Sequence, residues 1–192
     1  MRETYIFNDE CRIEDKFIYV SSPASKSKKK FVQKESYVEN TYNEEIKDYD
    51  YISIITKEKY NNGVTVRVKC SFDTFGAPLI VITDDYKTLE DGNHQYGLHF
   101  EVVAYEGGCN VWHIVPGKEE KNPIDVTKVN AIEFPIEDKS IIDMEVTIRD
   151  KKMFIRVNDQ SFVAEHEEVP NQMHVGITAC EGINQFYEFE VE

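Results

Sequence analysis

Long apolar runs are missing from this chain of 192 residues. No stretch approaches the roughly 20 consecutive apolar residues that a membrane-spanning helix needs, so we expect no membrane partner. The first residues also lack the basic, apolar and small-residue segments of a secretory leader. We therefore expect either that the protein stays inside the cell or that the sequence begins after such a leader.

Positive charge is also scarce. The 22 Lys and Arg residues are outnumbered by 36 Asp and Glu, and the formal net charge is −14. Such an excess of acid disfavours nucleic acid, because neutralisation of phosphates by basic side chains dominates that affinity. It likewise disfavours anionic lipid, and it leaves neutral ligands or cations as the expected partners.

Cysteine is sparse and scattered. The four residues Cys11, Cys70, Cys109 and Cys180 include no C-x-x-C pair, which argues against a zinc site. Cys70 shares the apolar parity of its predicted strand, so we interpret it as a buried free thiol. A disulfide between Cys70 and Cys180 stays open if the protein is exported.

Hydrophobic residues recur with period two over most of the chain, which predicts β-strands. Residues 63–73 and 142–148 alternate, whereas 78–83 are continuously apolar, as in a strand covered on both faces. We predict a loop, with at most one helical turn, for 116–129. About a dozen strands with short turns and no amphipathic helix predict an all-β fold, a two-sheet antiparallel β-sandwich or jelly roll, as one domain over 1–192.

Two segments hold most of the aromatic and imidazole chemistry. Residues 95–105 alternate, with His99 and Glu101 on the polar face. After a glycine-rich break the chain returns with its only tryptophan, Trp112, beside His113. Adjacent strands thus bring an indole, imidazoles and a carboxylate together on one sheet, although the break leaves open whether Trp112 faces the core.

From residue 63 onward the chain resembles the concanavalin A-like lectin/glucanase superfamily, including laminin-G-like domains. The resemblance covers about two-thirds of the chain and rests on Gly63–Lys69, Tyr96–Val102, Asn110–His113, Met144–Asn158, Val175–Ala179 and Phe186–Val191. It implies two curved antiparallel sheets, of which the concave one commonly holds the ligand. Similar bacterial domains are often attached to proteins that handle sugars, which implies a sugar ligand.

The resemblance and the central strands together predict a carbohydrate-binding, lectin-like module that is a monomer. Sugar hydroxyls need charged or amide partners, and sugar C–H faces stack on aromatic rings. The polar faces of the central strands offer both, and the candidate ligand-binding residues are Arg67, Lys69, His99, Glu101, Trp112 and His113.

The alternative is a glycoside hydrolase-like enzyme with a non-standard carboxylate or histidine, for which Glu101 is the candidate base. Superfamily members that hydrolyse β-glucans have a strand reading E-x-D-x-E. This chain has none, and its nearest match, Glu188–Glu192, lacks the central aspartate. We therefore assign no catalytic residue and favour binding over catalysis. A sandwich that binds only another protein is a third hypothesis.

Cofactor motifs are missing, since neither the P-loop nor the dinucleotide fingerprint occurs. Laminin-G-like domains often hold calcium through loop carboxylates, and 84–85 with 91–93 offer such oxygen ligands, so calcium is the candidate metal. His166 and His174 have no partner at ligand spacing, and we predict ordinary surface or strand histidines.

Overall fold

The structure, a computed structural model, describes residues 2–8, 12–25, 28–42, 51–119 and 121–192. In these ranges the chain forms two β-sheets that pack face to face, which confirms the predicted all-β sandwich of the jelly-roll type. No helix of these ranges has the length and apolar character needed to cross a bilayer.

The described residues form 18 strands and one single-turn helix, and nearly all strand pairs are antiparallel. In chain order the strands are β1 (Glu3–Ile6), β2 (Phe17–Ser21), β3 (Val32–Gln33), β4 (Val38–Glu39), β5 (Tyr51–Thr56), β6 (Tyr60–Asn61), β7 (Thr65–Asp73), β8 (Ala77–Thr83), β9 (Tyr86–Thr88), β10 (His94–Tyr96), β11 (His99–Tyr105), β12 (Gly108–Glu119), β13 (Asn122–Glu133), β14 (Ile142–Arg149), β15 (Lys152–Val157), β16 (Gln160–Glu165), β17 (Gln172–Cys180) and β18 (Ile183–Val191). The helix α1 (Ile13–Lys16) lies between β1 and β2.

Each of the two sheets contains strands from separate parts of the chain. Sheet A has the order β16-β15-β14-β7-β18-β4-β3, with β1 also paired to β18. Sheet B has the order β13-β12-β11-β8-β17-β5-β2-β10-β9, with β6 also paired to β17. Because β7 lies in sheet A and β8 in sheet B, two strands adjacent in sequence stand on opposite sides of the core.

The main core lies between the sheets and is filled by alternate residues of each strand. On β14 the apolar residues Ile142, Met144, Val146 and Ile148 are all buried, as their spacing predicts. Facing them, sheet B contributes residues such as Ile80, Phe100 and Val102. Each fully buried side chain of this kind stabilises the fold by roughly 1.5–3 kcal/mol.

The outer face of sheet B carries a second apolar cluster, so the centre of this sheet is buried on both faces. Members are Val20, Tyr51, Ile55, Ala77, Leu79, Val81, Tyr96, Val103 and Cys180. Between the two clusters runs β8, of which every residue is buried. This confirms the prediction that the continuously apolar segment 78–83 is covered on both faces.

The prediction of a loop for residues 116–129 is wrong. Instead, β12 continues to Glu119 and β13 returns from Asn122, so the two form a long hairpin at the edge of sheet B. The prediction failed because β13 is an edge strand with mostly exposed side chains. An edge strand without a buried face has no apolar alternation for the sequence to show.

A bond between Cys70 and Cys180 is also excluded. Cys70 lies in the main core on β7 of sheet A, whereas Cys180 lies in the outer cluster of sheet B. Cys70 and Cys109 are buried free thiols, as predicted for Cys70, and burial raises the pKa of Cys109 to about 12. Cys11 lies outside the described residues.

Charged side chains form a network on the outer face of sheet A, centred on Arg67. Its guanidinium donates to Glu145 at 2.6 Å, to Glu190 at 2.6 Å and to Glu192 at 3.0 Å. Glu190 is only 3% exposed and also binds Arg2. Burial alone would raise the pKa of Glu190, but the hydrogen bonds from Arg67 and Arg2 outweigh burial and hold this pKa below its ordinary value.

We expect Arg67→Met to lower the free energy of unfolding at pH 7 by about 1–2 kcal/mol, because buried Glu190 loses one of two charged donors. The folded-state pKa of Glu190 lies below its ordinary value of 4.5, so this stabilisation is present above about pH 4.5 and disappears as the pH falls through the folded pKa. Urea unfolding at neutral and at acidic pH measures the difference between variant and wild type.

The matched control for this experiment is Arg149→Met, because Arg149 pairs with Asp150 at the exposed end of the same sheet. We expect a small effect with little pH dependence. A deficit of Arg67→Met that is equally large at acidic pH would contradict the assigned role of Glu190.

Candidate functional site

Three of the predicted residues meet on the outer face of sheet B. Glu101 on β11 stands directly opposite Trp112 on β12 in the antiparallel pair, so both side chains project from the same face. His99 precedes Glu101 by two residues, and its Nε2 lies 3.4 Å from Glu101 Oε1. The predicted grouping of indole, imidazole and carboxylate is therefore present. Trp112 faces away from the main core, on the same side of the sheet as Glu101.

The carboxylate of Glu101 is buried, with 5% exposed, and is held by a phenol. Tyr51 on β5 donates from its hydroxyl to Glu101 Oε1 at 2.5 Å. Burial, followed by the nearby charge of Glu101, raises the pKa of Tyr51 well above its ordinary value. The phenol thus stays protonated at neutral pH and acts as a fixed hydrogen-bond donor.

His99 lies beneath a tyrosine and is closed to solvent. The Tyr96 ring, on β10, stacks on the imidazole with the ring centroids 4.5 Å apart, and His99 is 0% exposed. Its Nδ1 is 3.1 Å from the carbonyl oxygen of Gly97, which can only accept, so Nδ1 carries a proton. Neither His99 nor Glu101 is therefore open to a ligand at the surface, since Tyr96 covers the imidazole and both side chains are buried.

Tyr96 is itself fixed by a chain of hydroxyl groups. Its hydroxyl lies 2.5 Å from Ser53 Oγ, which in turn lies 2.6 Å from Thr178 Oγ1. All three residues are buried. Hydroxyl groups that satisfy one another allow a polar network to persist in an apolar cluster, so the cover over His99 is a rigid part of the fold.

Trp112 is the accessible part of this face, since its side chain is only partly buried. The ammonium of Lys128, its neighbour on β13, stands over the indole at 4.9 Å from the ring centroid. Asn110 projects from the same face two residues earlier, and its buried Oδ1 has no hydrogen-bond partner among the described residues. The partly buried indole therefore has an exposed cation and a buried, unpartnered acceptor beside it.

Arg67 and Lys69 do not belong to this group. Both lie on β7 in sheet A, where Arg67 is engaged by carboxylates and Lys69 is exposed. Their grouping with His99 and Glu101 requires β7 and β11 to be neighbours in one sheet, but the chain crosses the sandwich between β7 and β8. Side chains on the outer faces of the two sheets are separated by the whole core.

The prediction that His113 lies beside Trp112 in the binding site is also wrong, because the two side chains project from opposite faces of β12. Its ring centroid lies 4.9 Å from that of Phe100 in the main core and 4.2 Å from that of His166. Burial, and next the adjacent His166, lower the pKa of His113 from its ordinary value. His166, predicted to have no partner, therefore has one, whereas His174 is a satisfied strand histidine bound to the Thr56 carbonyl at 2.8 Å.

A pocket of about 300 Å³ opens at the other end of the same face. Among its lining residues are Tyr51 and Ser53 of the network, with His94 and Lys28, but it does not reach Trp112. In the loop proposed for calcium, Asp91 pairs with Lys28 at 3.0 Å and accepts from Asn93. Those contacts occupy the Asp91 carboxylate within the protein, and calcium stays a prediction.

Sequence reasoning missed the residues that complete the site: Tyr51, Ser53, Tyr96, Asn110, Lys128 and Thr178. The alternation predicted over 95–105 puts Tyr96 on the apolar face of the strand that contains His99, but the strand is interrupted after Tyr96, which lies on a separate strand, β10. Tyr51 starts a strand that is easily predicted, yet its contact with Glu101 depends on the order of strands in sheet B. No local pattern in a sequence encodes that order.

No family model matches the chain, and no curated protein matches it in sequence. Among solved structures it is similar to the carbohydrate-binding module CBM66 from Bacillus subtilis, with 9% identity and a TM-score of 0.58 over 82% of this chain and 87% of that one. A legume lectin-like domain from Entamoeba histolytica gives 13% identity and a TM-score of 0.60 over 98% of this chain and 96% of that one.

A third similar structure is an endo-β-galactosidase from Clostridium perfringens that releases GlcNAcα1-4Gal. It shows 7% identity and a TM-score of 0.66 over 98% of this chain and 61% of the enzyme. The three similarities show that the chain has the concanavalin A-like β-sandwich fold. At such low identity they show the fold alone, because one fold hosts many functions.

We expect Tyr51→Phe to lower the free energy of unfolding by about 1–3 kcal/mol, because the buried Glu101 carboxylate loses its hydroxyl donor. In a double-mutant cycle with Glu101→Gln, the two effects should not add, since Tyr51→Phe removes the donor of this bond and Glu101→Gln removes the charge of its acceptor. Chemical unfolding of the four proteins measures the coupling.

Tyr105→Phe is the control, since Tyr105 is a partly exposed tyrosine on the same face. We expect a change within about 0.5 kcal/mol for it. Additive effects of Tyr51→Phe and Glu101→Gln would show that the hydrogen bond contributes nothing to stability.

Proposed function

We propose that the protein is a carbohydrate-binding, lectin-like domain that holds a glycan against Trp112 on the outer face of sheet B. The observation that carries the proposal is the partly exposed indole of Trp112, set opposite a buried and hydrogen-bonded Glu101. A sugar ring presents a C–H face that packs on an indole, which supplies a large apolar contact.

Polar groups beside the indole suit the hydroxyl groups of a sugar. Asn110 Oδ1 is an acceptor without a partner in the described part of the chain, and the Lys128 ammonium is a donor. Asn110 precedes Trp112 by two residues on β12, and Lys128 is opposite Trp112 on β13. The exposed Lys128 ammonium would donate to a sugar hydroxyl, whereas the buried Asn110 Oδ1 would accept from one only after its side chain turned toward solvent.

Preorganisation also supports binding at this place. Glu101, Tyr51 and His99 form a buried layer next to Trp112, and Tyr96 closes that layer. Because these side chains are fixed before the ligand arrives, little conformational entropy is lost on binding. Two of the similar structures are a carbohydrate-binding module and a lectin-like domain, which is the same class of function.

We expect Trp112→Ala to weaken glycan binding about tenfold or more, since stacking on an indole contributes on the order of 1–2 kcal/mol. A glycan array identifies the ligand, and calorimetry with that glycan measures the affinity of each variant. Trp112→Phe, which keeps an aromatic ring, should retain part of the affinity.

Phe154→Ala is the control, because Phe154 is a partly exposed aromatic residue on the outer face of sheet A. It should bind the glycan as wild type does. Unchanged affinity in Trp112→Ala would overturn the proposal, and affinity lost only in His94→Ala would move the site to the 300 Å³ pocket.

A glycoside hydrolase is the second candidate function, favoured by the similarity to an endo-β-galactosidase and by the buried Glu101. Common glycosidase mechanisms use two carboxyl groups, about 5–5.5 Å apart for retention and farther apart for inversion. The groups that contact Glu101 in the described residues are a phenol and an imidazole. This contact set suits a structural carboxylate better than a catalytic pair.

If the protein hydrolyses glycosides, we expect Glu101→Gln to abolish turnover while the protein stays folded. Chromogenic glycosides and release of reducing ends from polysaccharides measure the activity. Glu133→Gln, on the exposed edge strand β13, is the control and should keep full activity. Turnover that survives Glu101→Gln would exclude Glu101 as the base.

A further inference from the structure

A cluster of imidazoles and a carboxylate lies on the face of β12 opposite to the proposed glycan site. It comprises His113, His166 and Glu168, and one ligand atom from each lies within 4.8 Å of the other two. His113 comes from the rigid interior of the hairpin β12–β13, and the other two come from the turn between β16 and β17. The cluster therefore joins the sheet B edge to a connection from sheet A.

The turn that carries His166 and Glu168 has a defined backbone. The amide of His166 donates to the Lys151 carbonyl at 3.1 Å, and the amide of Val169 donates to the His166 carbonyl at 3.1 Å. Glu168 lies between these two bonds, so both side chains are presented from a fixed turn. A site built on ordered backbone needs little rearrangement to bind.

The second observation is an unpartnered nitrogen that points into the cluster. His113 is 8% exposed, and its Nε2 has no hydrogen-bond partner among the described residues. Glu168 Oε2 lies 3.2 Å away, but not in line with a hydrogen bond. A buried nitrogen in this position carries the cost of desolvation without a bond, unless a further atom occupies the space beside it.

We propose that His113, His166 and Glu168 form a binding site for Zn²⁺. Two imidazoles and one carboxylate are the three protein ligands of an open zinc site, in which water takes the fourth position. The proposal is independent of the glycan site, because Trp112 and His113 project from opposite faces of β12.

The donor set selects the class of metal. Calcium and magnesium prefer oxygen ligands, whereas imidazole suits zinc and its first-row neighbours. The scattered cysteines argued against zinc held by thiolates, and this site uses none.

The dimensions of the cluster are close to those of a loaded site. Bonds of about 2.0–2.1 Å in a tetrahedral site place ligand atoms roughly 3.4 Å apart. The Nε2–Oε2 separation of 3.2 Å already meets this spacing, and the ligand atom of His166, within 4.8 Å of both, needs a shift of at most about 1.4 Å. That shift would replace the bond of 3.2 Å that His166 Nδ1 accepts from the amide of Glu168.

An entry path exists, because the side chain of Glu168 is 55% exposed while that of His113 is 10% exposed. An ion would thus arrive from the solvent side of the turn and find the imidazole at the inner end. The fourth position would face solvent and hold water. Once bound, the ion would fasten the β16–β17 turn to β12.

The test uses the full chain after treatment with a chelator. Calorimetric titration with Zn²⁺ in excess Mg²⁺ should show one saturable ion per chain, and Zn²⁺ should raise the midpoint of thermal unfolding. Co²⁺, used as a spectroscopic substitute, should give the visible absorption of a four-coordinate site. Several weak ions per chain, without saturation, would overturn the proposal and indicate adsorption to the acidic surface.

Variants in the turn make the assignment specific. His166→Ala and Glu168→Gln should each lower the affinity for Zn²⁺ at least tenfold and abolish the Co²⁺ absorption, while the protein without metal unfolds as wild type does. Glu167→Gln, the neighbouring acid, and His94→Ala, a histidine elsewhere on the surface, should bind Zn²⁺ as wild type does. Wild-type affinity in His166→Ala would overturn the site.

Discussion

The fold and its candidate sites depend on one constraint, namely that the centre of sheet B is buried on both faces. The main core covers one side, and the outer cluster around Leu79, Val81 and Tyr96 covers the other. Polar groups on the outer face therefore persist only if they bond to one another. The Tyr51 hydroxyl and the Glu101 carboxylate meet that requirement, and His99 does so at Nδ1 through the Gly97 carbonyl. His99 Nε2 lies 3.4 Å from Glu101 but has no hydrogen-bond partner among the described residues. Trp112 lies at the accessible margin of this layer.

The edge hairpin β12–β13 connects this layer to solvent. Its alternation directs Trp112 outward beside Glu101 and directs His113 inward beside Phe100. One strand thus presents an aromatic platform on one face and a metal-binding imidazole on the other. The two proposed sites use neighbouring residues of β12, so both depend on the same hairpin being formed.

Local patterns predicted much of the fold but only half of the site. The alternation of β14 and the continuous apolar run of β8 are read directly from spacing, because burial on one or both faces leaves that trace. The edge strand β13 leaves none. Alternation also predicts that His99, Glu101 and Trp112 lie together, because their strands follow each other through a short turn. It says nothing about which strands share a sheet, and the grouping of Arg67 with them is therefore wrong.

The sequence by itself determined the strand class, the two-sheet architecture and the nearest-neighbour pairing around His99 and Trp112, because period-two burial and short turns are local properties. Only the tertiary structure decided that Tyr51 binds Glu101, that Tyr96 covers His99 and that His166 meets His113. Those contacts join residues 3 to 53 positions apart along the chain through the order of strands. That order follows from how whole sheets exclude water from both faces, which no short segment encodes.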